Sequence, residues 1–252
     1  MRFFPGLHQP SDAKHFPEAF VSVTRLRMRK SDFVVGDWIM DSGAFTEISR
    51  HGRYRQSVAE YAREIRRWAK CGNLLAAVAQ DWMCEPHILE KTGHTVEQHQ
   101  RLTVMRYDAL LAEKPGVYIM PVLQGYEPES YVAHVEMYGD RLTQGQWVGV
   151  GSVCKRNGDP GAIAAVLLAI KRVRPDLRLH GFGLKTTALA DPLVRSLLET
   201  ADSMAWSFAA RREGRNPNDW TEARSWAAKI TSRPVQHLLD FLRAPQPDWR
   251  TS

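Results

Sequence analysis

The chain has little of what would place it outside a cell or in a membrane. Only three of its 252 residues are cysteines. Cys71, Cys84 and Cys154 are far apart and odd in number, which excludes a disulfide framework of the kind that holds small secreted domains and fits a reduced cytoplasmic protein. No run of about eighteen apolar residues occurs, so no membrane-spanning helix and no membrane partner are expected. The start, Met1-Arg2-Phe3-Phe4-Pro5-Gly6, lacks the long apolar region of a secretory signal. Low-complexity tracts and sequence repeats are also missing, which leaves an ordinary globular chain.

What is present is enough apolar material for a sizeable core: 44% of the residues are hydrophobic and 25% are charged. That length and balance suit one large α/β domain over residues 1–243 better than two small ones. Residues 244–252, with two prolines and no apolar run, read as a loose tail. A formal charge of +6 favours a polyanionic partner.

From about residue 20 to about residue 210, short apolar runs alternate with amphipathic stretches, the rhythm of βα units. The expected strands are Phe20 to Val23, Trp38 to Met40, Leu74 to Ala79, Val117 to Leu123, Trp147 to Val150, Leu177 to His180, and a short one near Asp202. Each is brief and mostly apolar, as buried parallel strands are. Val58, Tyr61, Ala62, Ile65 and Trp68 recur at helical spacing with charges off the stripe, so Ser57 to Lys70 is expected to be an amphipathic helix. Further helices are expected over Val96–Leu111, Pro128–Tyr138, Gly161–Val173, Asp191–Glu199, Asp219–Ile230 and Val235–Leu242.

Polar residues fall at the ends of these strands. Trp38-Ile39-Met40 delivers Asp41 into the small-residue turn Ser42-Gly43-Ala44-Phe45. Asp81, Gln124, Gly149, Gly151, Gly181 and Asp202 follow the same rule. A single aspartate there is more often a turn former or a helix cap. In a TIM-like (β/α)8 barrel, however, all strand C-termini face one way, and residues distant in sequence become the walls of one pocket. Three carboxylates in one mouth suggest acid/base and nucleophilic chemistry.

Six blocks carry a resemblance: Asp41-Ser42-Gly43-Ala44-Phe45, Gln80-Asp81-Trp82-Met83-Cys84-Glu85-Pro86, Val122-Leu123-Gln124-Gly125, Val148-Gly149-Val150-Gly151-Ser152, His180-Gly181-Phe182-Gly183, and Ala201-Asp202-Ser203-Met204-Ala205-Trp206. In order and spacing, over roughly residues 35 to 215, they resemble the signature blocks of tRNA-guanine transglycosylases. The compact size and the Phe208-Ala209-Ala210-Arg211 run are most similar to the DpdA branch, which inserts 7-deazaguanines into DNA.

The resemblance implies exchange of guanine in a nucleic-acid strand for a preformed 7-deazaguanine, such as 7-cyano-7-deazaguanine, with no cofactor. On it, Asp202 is the nucleophile that forms a covalent glycosyl-enzyme, and Asp41 is the general acid/base. Asp81 accepts hydrogen bonds from the purine amino and ring N–H edge, and Gln124 binds the carbonyl or the seven-position substituent. Phe45 and His180 sandwich the base. Backbone N–H groups around Gly149 to Gly151 donate to it, and Ser42, Gly125 and Gly181 complete the substrate pocket.

The family's tRNA enzymes carry a cysteine-rich zinc subdomain after the nucleophile. This chain has no cysteine after Cys154, so no metal is expected. Cys84, His87, His94 and His99 match no common zinc spacing, and the histidines read as helix-surface residues. Lys155, Arg156, Lys185, Arg211, Arg212 and Arg215 are candidates for phosphate contact. DNA is the expected polymer and tRNA the alternative; a silent nucleic-acid-binding subunit and a base-releasing hydrolase are the remaining readings.

Overall fold

Among the described residues nine short strands carry the apolar runs: β1 Arg2–Pro5, β2 Glu18–Ser22, β3 Asp37–Asp41, β4 Asn73–Val78, β5 Ile119–Met120, β6 Val122–Leu123, β7 Trp147–Val150, β8 Arg178–Gly181 and β9 Thr200–Ser203. They belong to a computed structural model that describes residues 1–156 and 158–232, with Lys155 by its backbone alone. Every strand pairing is parallel. The ladders form a five-stranded sheet in the order β1-β9-β8-β7-β6 and a four-stranded sheet in the order β2-β3-β4-β5. The protein is thus an α/β fold with parallel sheets rather than one continuous ladder.

Two local features lie where the sheets meet. A parallel bridge joins Gly6 to Phe20, and the Leu7 N–H donates to the Phe20 carbonyl at 3.0 Å. Between β5 and β6 lies Pro121 alone, which has no N–H to give a ladder. The chain changes partners across it: the Met120 carbonyl accepts the Ala79 N–H at 3.0 Å, and the Pro121 carbonyl accepts the Gly149 N–H at 2.9 Å. Strand β1 was not among the expected elements, because its apolar content is only Phe3-Phe4 before a proline. Its partner is β9, with Phe4 opposite Asp202, a pairing that no local pattern announces.

The helices have readable local causes. Helices α1 Val23–Leu26 and α2 Ala44–His51 follow β2 and β3, and α3 spans Val58–Trp68. Ser57 and Glu60 form a capping box at the start of α3, which ends the chain's freedom there and turns Tyr61, Ala62, Ile65 and Trp68 inward. Helix α4 is Pro86–Thr92, and α5, Val96–Ala112, opens on a second capping box of Thr95 and Gln98. Prolines pre-set the first turns of α6 Pro128–Tyr138, α7 Pro160–Val173 and, after α8 Thr186–Ala190, of α9 Pro192–Leu197. Helices α10 Ala205–Arg212 and α11 Trp220–Thr231 follow β9. The short helices α1, α2, α4, α8 and α10 had not been expected. The helix expected at Val235–Leu242 and the tail 244–252 lie outside the described residues.

The core has an inner and an outer part. Phe4, Phe20, Ile39, Ala76, Val78, Met120, Val122 and Trp147 form one buried cluster, contributed by strands β1 to β7. Its members meet across the fold, as the Phe4 and Trp147 rings do at 6.5 Å. The other faces of the strands pack against the helices in the larger cluster around Trp38, Tyr61, Trp68, Leu123, Val148 and Leu179. Among the described residues no helix is long and apolar enough to cross a membrane.

Candidate active site

Residues at or just beyond the ends of strands from both sheets line a cavity of about 570 Å³. Its wall takes Ser22 and Asp41 from the last positions of β2 and β3, Gln124 and Gly151 from just beyond β6 and β7, and Asp202 from β9. Asp81, three residues beyond the end of β4, completes the set. The volume lies within the range of small-molecule sites.

Asp41 and Asp202 face the same space from different sheets. The turn after Asp41 depends on Gly43, whose φ of +76° is open to glycine but strained for other residues. Its N–H donates to Asp41 Oδ2 at 3.1 Å, so the bond expected of a turn-forming aspartate is present alongside a place in the cavity wall. Burial pushes the Asp41 carboxyl above its ordinary range, and the charge of Asp202 adds to the rise, against hydrogen bonds from Ser22 and the turn N–H groups. Asp202 is held by one oxygen. The Gly183 N–H donates to Oδ1 at 3.0 Å and His180 Nε2 stands 3.3 Å from the same atom.

Across the cavity a chain of hydrogen bonds sets one amide. The Cys84 N–H donates to Ser152 Oγ at 3.1 Å, and that hydroxyl donates to Gln124 Oε1 at 2.8 Å. With its oxygen so engaged, Gln124 turns its Nε2 to Asp81 Oδ2, to which it donates. Tyr54 fixes the main chain of Asp81 through a bond from its hydroxyl to the Asp81 carbonyl at 2.7 Å. Burial raises the Asp81 carboxyl to about 7; the Gln124 bond opposes this and the charge of Asp41 adds to it. Asp81 and Gln124 thus present an acceptor beside an oriented amide.

Several sequence expectations change. His180 was expected to sandwich the base, yet it is fully buried and does not line the cavity. Its Nδ1 is 2.8 Å from Thr200 Oγ1 and its Nε2 faces Asp202, while its ring stacks on Phe20 at 5.8 Å. The rings that reach the cavity are Phe20, Phe45, Phe182 and Phe208. Phe45 is 54% exposed near the start of α2, so it stands at the mouth rather than deep in the slot.

Gly149 and Gly151 were expected to donate N–H groups to the ligand, but the ladder takes both, by the Pro121 and Leu123 carbonyls at 2.9 Å each. What the two glycines give is room. A Cβ on Gly149 would stand 2.3 Å from the Phe182 ring, and one on Gly151 would stand 2.1 Å from Gln124 Nε2. Gly125 and Gly181 do the same for Tyr131 and Leu184, and neither lines the cavity. Ser42 is fully buried and is also absent from the wall.

Of the basic candidates, Lys185 lines the cavity. Arg211 and Arg212 are exposed on α10. Arg215 is committed to Glu222 at 2.7 Å and to Glu213, which neutralises the charge it was expected to offer phosphate. Arg156 lies over the Tyr126 ring at 4.6 Å, and the Lys155 side chain is outside the described residues.

The Cys84 region does not gather ligands. His87 and His94 are exposed, but His99 is buried rather than on a helix surface, with Nδ1 bonded at Met83 O and Nε2 at Thr92 Oγ1. Burial, with the charges of Glu85 and Asp81, holds Cys84 as the thiol. Among the described residues no group of three or more His, Cys, Asp or Glu is placed to hold a metal ion.

Ser152, Glu85, Phe20, Phe182 and Phe208 were not assigned site roles from the sequence. Ser152 carried the one available signal, a non-glycine at the end of a Gly-Val-Gly strand. Its φ of +57° is uncommon for such a residue, and it brings the hydroxyl onto Gln124. The others became visible only when strand ends met.

Comparison with known proteins agrees with the resemblance of the six blocks. The family described as DpdA, DeoxyPurine in DNA protein A, matches residues 1–241. No curated protein matches the chain. The family match covers nearly the whole sequence and ties the chain, at the family level, to modification of DNA: the protein belongs to the DpdA (DeoxyPurine in DNA protein A) family.

Proposed function

We propose that the protein is a DNA-guanine transglycosylase that replaces a guanine in DNA with a 7-deazaguanine by double displacement. The observation that carries this reading is the meeting of Asp41 and Asp202 in one cavity, close enough for the charge of one to raise the pKa of the other. In the first step a carboxylate oxygen of Asp202 bonds to C1′ as the C1′–N9 bond breaks. The departing guanine keeps the electron pair and takes a proton from Asp41. In the second step the incoming base gives its N9 proton to Asp41, N9 bonds to C1′, and the C1′–oxygen bond to Asp202 breaks. Two inversions retain configuration, and the exchange needs no energy source.

The proton role suits Asp41, whose raised pKa favours the protonated form that a departing base requires. Asp202 Oδ1 carries the two orienting contacts, which leaves Oδ2 for attack. Asp81 and Gln124 would hold the purine edge, since an acceptor beside an amide complements adjacent N–H and carbonyl groups. Phe20 and Phe182 supply apolar walls for the ring.

The barrel reading of the fold has support of the same kind. Eight strand positions follow if β5 and β6 are one strand interrupted by Pro121, and the Gly6–Phe20 bridge joins the remaining edges. The inner cluster drawn from seven strands is what the interior of a (β/α)8 barrel contains.

DNA is favoured as the polymer by the family match. Lys185, Arg211 and Arg212 would meet phosphates around the mouth, and a target guanine must leave its stack to enter, at a cost of a few kcal/mol. Mass spectrometry of nucleosides from DNA or tRNA incubated with the protein and labelled bases tests the reading. Deazaguanine in DNA is expected, with loss of exchange and of any trapped adduct in Asp202→Ala. Incorporation into tRNA alone would overturn the choice of polymer. Free guanine with abasic sites would indicate a hydrolase, and full activity of an assembly containing Asp202→Ala would indicate a binding subunit.

A further inference from the structure

His8, in the loop after β1, has no part in the double displacement, yet it gathers charge beside the cavity. Its ring meets that of Trp206 edge-on at 5.5 Å, within the stretch from Met204 to Phe208 that supplies part of the cavity wall. A guanidinium only donates, so His8 Nδ1 accepts from Arg25 Nη2 at 3.2 Å, and the neutral ring carries its proton on Nε2, 2.7 Å from Ser207 Oγ. Three segments are thereby tied together. Arg25 belongs to α1, whose N-cap Ser22 lines the cavity, and Ser207 belongs to α10.

Arg211 reaches the same place. It follows Ser207 by four residues and Phe208 by three, so its side chain neighbours both on the surface of α10. Burial lowers the His8 pKa, and the charges of Arg25 and Arg211 lower it further. The neutral ring is thus no counterion for either. Among the described residues neither Arg25 nor Arg211 is ion-paired with a carboxylate, whereas nearby Arg27 pairs with Glu47 and Arg215 with Glu213 and Glu222. Both guanidinium groups are exposed. Two like charges around one neutral ring repel each other, and an anion received between them relieves that repulsion.

We infer that Arg25 and Arg211 together clasp one phosphodiester of the DNA strand, at a linkage next to the guanine that enters the cavity. Two forks of N–H donors match the oxygens of a phosphate. The sugar attacked by Asp202 carries a phosphate on each side, and α10 begins just after the strand that bears Asp202. The inference rests on the transglycosylase reading and adds the residues, one on α1 and one on α10, that fix the strand at the cavity.

Fluorescence anisotropy with the full chain tests it. The probe is a single-stranded thymine oligonucleotide that holds one guanine and carries a neutral methylphosphonate at one linkage, moved stepwise along the strand. Wild type is expected to lose about ten-fold in affinity at one linkage beside the guanine, the range for a hydrogen bond between charged groups. Arg25→Gln and Arg211→Gln are each expected to reduce that loss to within about two-fold, at the same linkage. Because each readout is a ratio between two oligonucleotides on one protein, general damage to the fold cancels. Wild-type binding with no sensitive linkage, an undiminished loss in either variant, or different linkages for the two arginines would overturn the inference. The transglycosylase reading would then stand on exchange of the same guanine, scored separately by mass spectrometry. Failure of wild type to bind or exchange the oligonucleotide would overturn both.

Discussion

His180 meets Asp202 from below the cavity: its Nε2 stands 3.3 Å from Asp202 Oδ1, and its Nδ1 is 2.8 Å from Thr200 Oγ1. The histidine lies on β8 and the other two residues on β9, so neighbouring strands hold the carboxylate and the ring that orients it. A residue expected to stack on a base is instead buried against the carboxylate of the proposed nucleophile.

Replacing His180 with Ala should therefore lower kcat about ten- to a hundred-fold, because a carboxylate free to turn is seldom aligned for attack. KM for the base should change by no more than about two-fold. The opposite pattern, a large rise in KM at constant kcat, would restore the stacking role.

Asp81 should give base binding a pH dependence. Its carboxyl is raised to about 7, chiefly by burial, so it is an acceptor above that pH and becomes protonated below it. Affinity for guanine is expected to fall as pH drops from 8 to 6, and Asp81→Asn should bind weakly with no such step. Stability follows the other sign. The folded pKa exceeds the ordinary 3.8, so this group's contribution is full below about 3.8 and is lost as pH rises through about 7. Thermal melts of the free protein should show a smaller loss over that window in Asp81→Asn.

Gly151→Ala should impair the site more than the fold. The added Cβ would meet Gln124 Nε2 at 2.1 Å, so the amide must swing away from both Asp81 and Ser152. A stability loss of about 1 kcal/mol is expected from the overpacking, with KM for the base rising about ten-fold from the lost oriented amide. Steady-state kinetics that match wild type would remove Gln124 from base recognition.

Glu47 anchors the helix that follows Asp41. Its buried carboxylate bonds Arg27 at 2.8 Å and Arg55 at 3.0 Å. Burial pushes its pKa up, but the two arginines outweigh this and hold it at about 2. Glu47→Gln should cost about 3 kcal/mol at pH 7, since two guanidinium groups lose their counterion. The stability that Glu47 contributes is full above about 4.5 and is lost as pH falls through about 2. Urea unfolding should accordingly show the gap between wild type and Glu47→Gln narrowing at pH 3.

Phe208 is 55% exposed and lines the cavity, a placement suited to stacking on a base beside the extruded guanine. Phe208→Ala should weaken binding of single-stranded DNA by about 1–3 kcal/mol, read by fluorescence anisotropy. Unchanged affinity would leave the ring as a wall of the cavity only.

Local pattern went a long way where the physics is local. The stripe of Val58, Tyr61, Ala62, Ile65 and Trp68 and the cap at Ser57 were sufficient for α3, and the proline at 128 marked the start of α6. Short strands with Asp41, Gln124 or Asp202 at or beside their ends were legible because a buried strand is an apolar run and its polar end is a break in that run. Helices such as α2 and α10 were missed because small residues and charges dominate them, and their burial depends on what they pack against. Strand β1 was missed for a related reason, since its partner lies at the far end of the chain.

The sequence by itself determined the α/β rhythm, the set of strand-end residues and the family, because each is carried by residue type and spacing along the chain. Only the tertiary structure decided which atoms those residues meet. It put His180 behind Asp202 rather than against a ligand, gave the Gly149 and Gly151 N–H groups to the sheet, tied Arg215 to two carboxylates, and brought Glu85 to the cavity wall. Each of these depends on which atoms meet across strands, and that follows from packing and desolvation in three dimensions rather than from order along the chain.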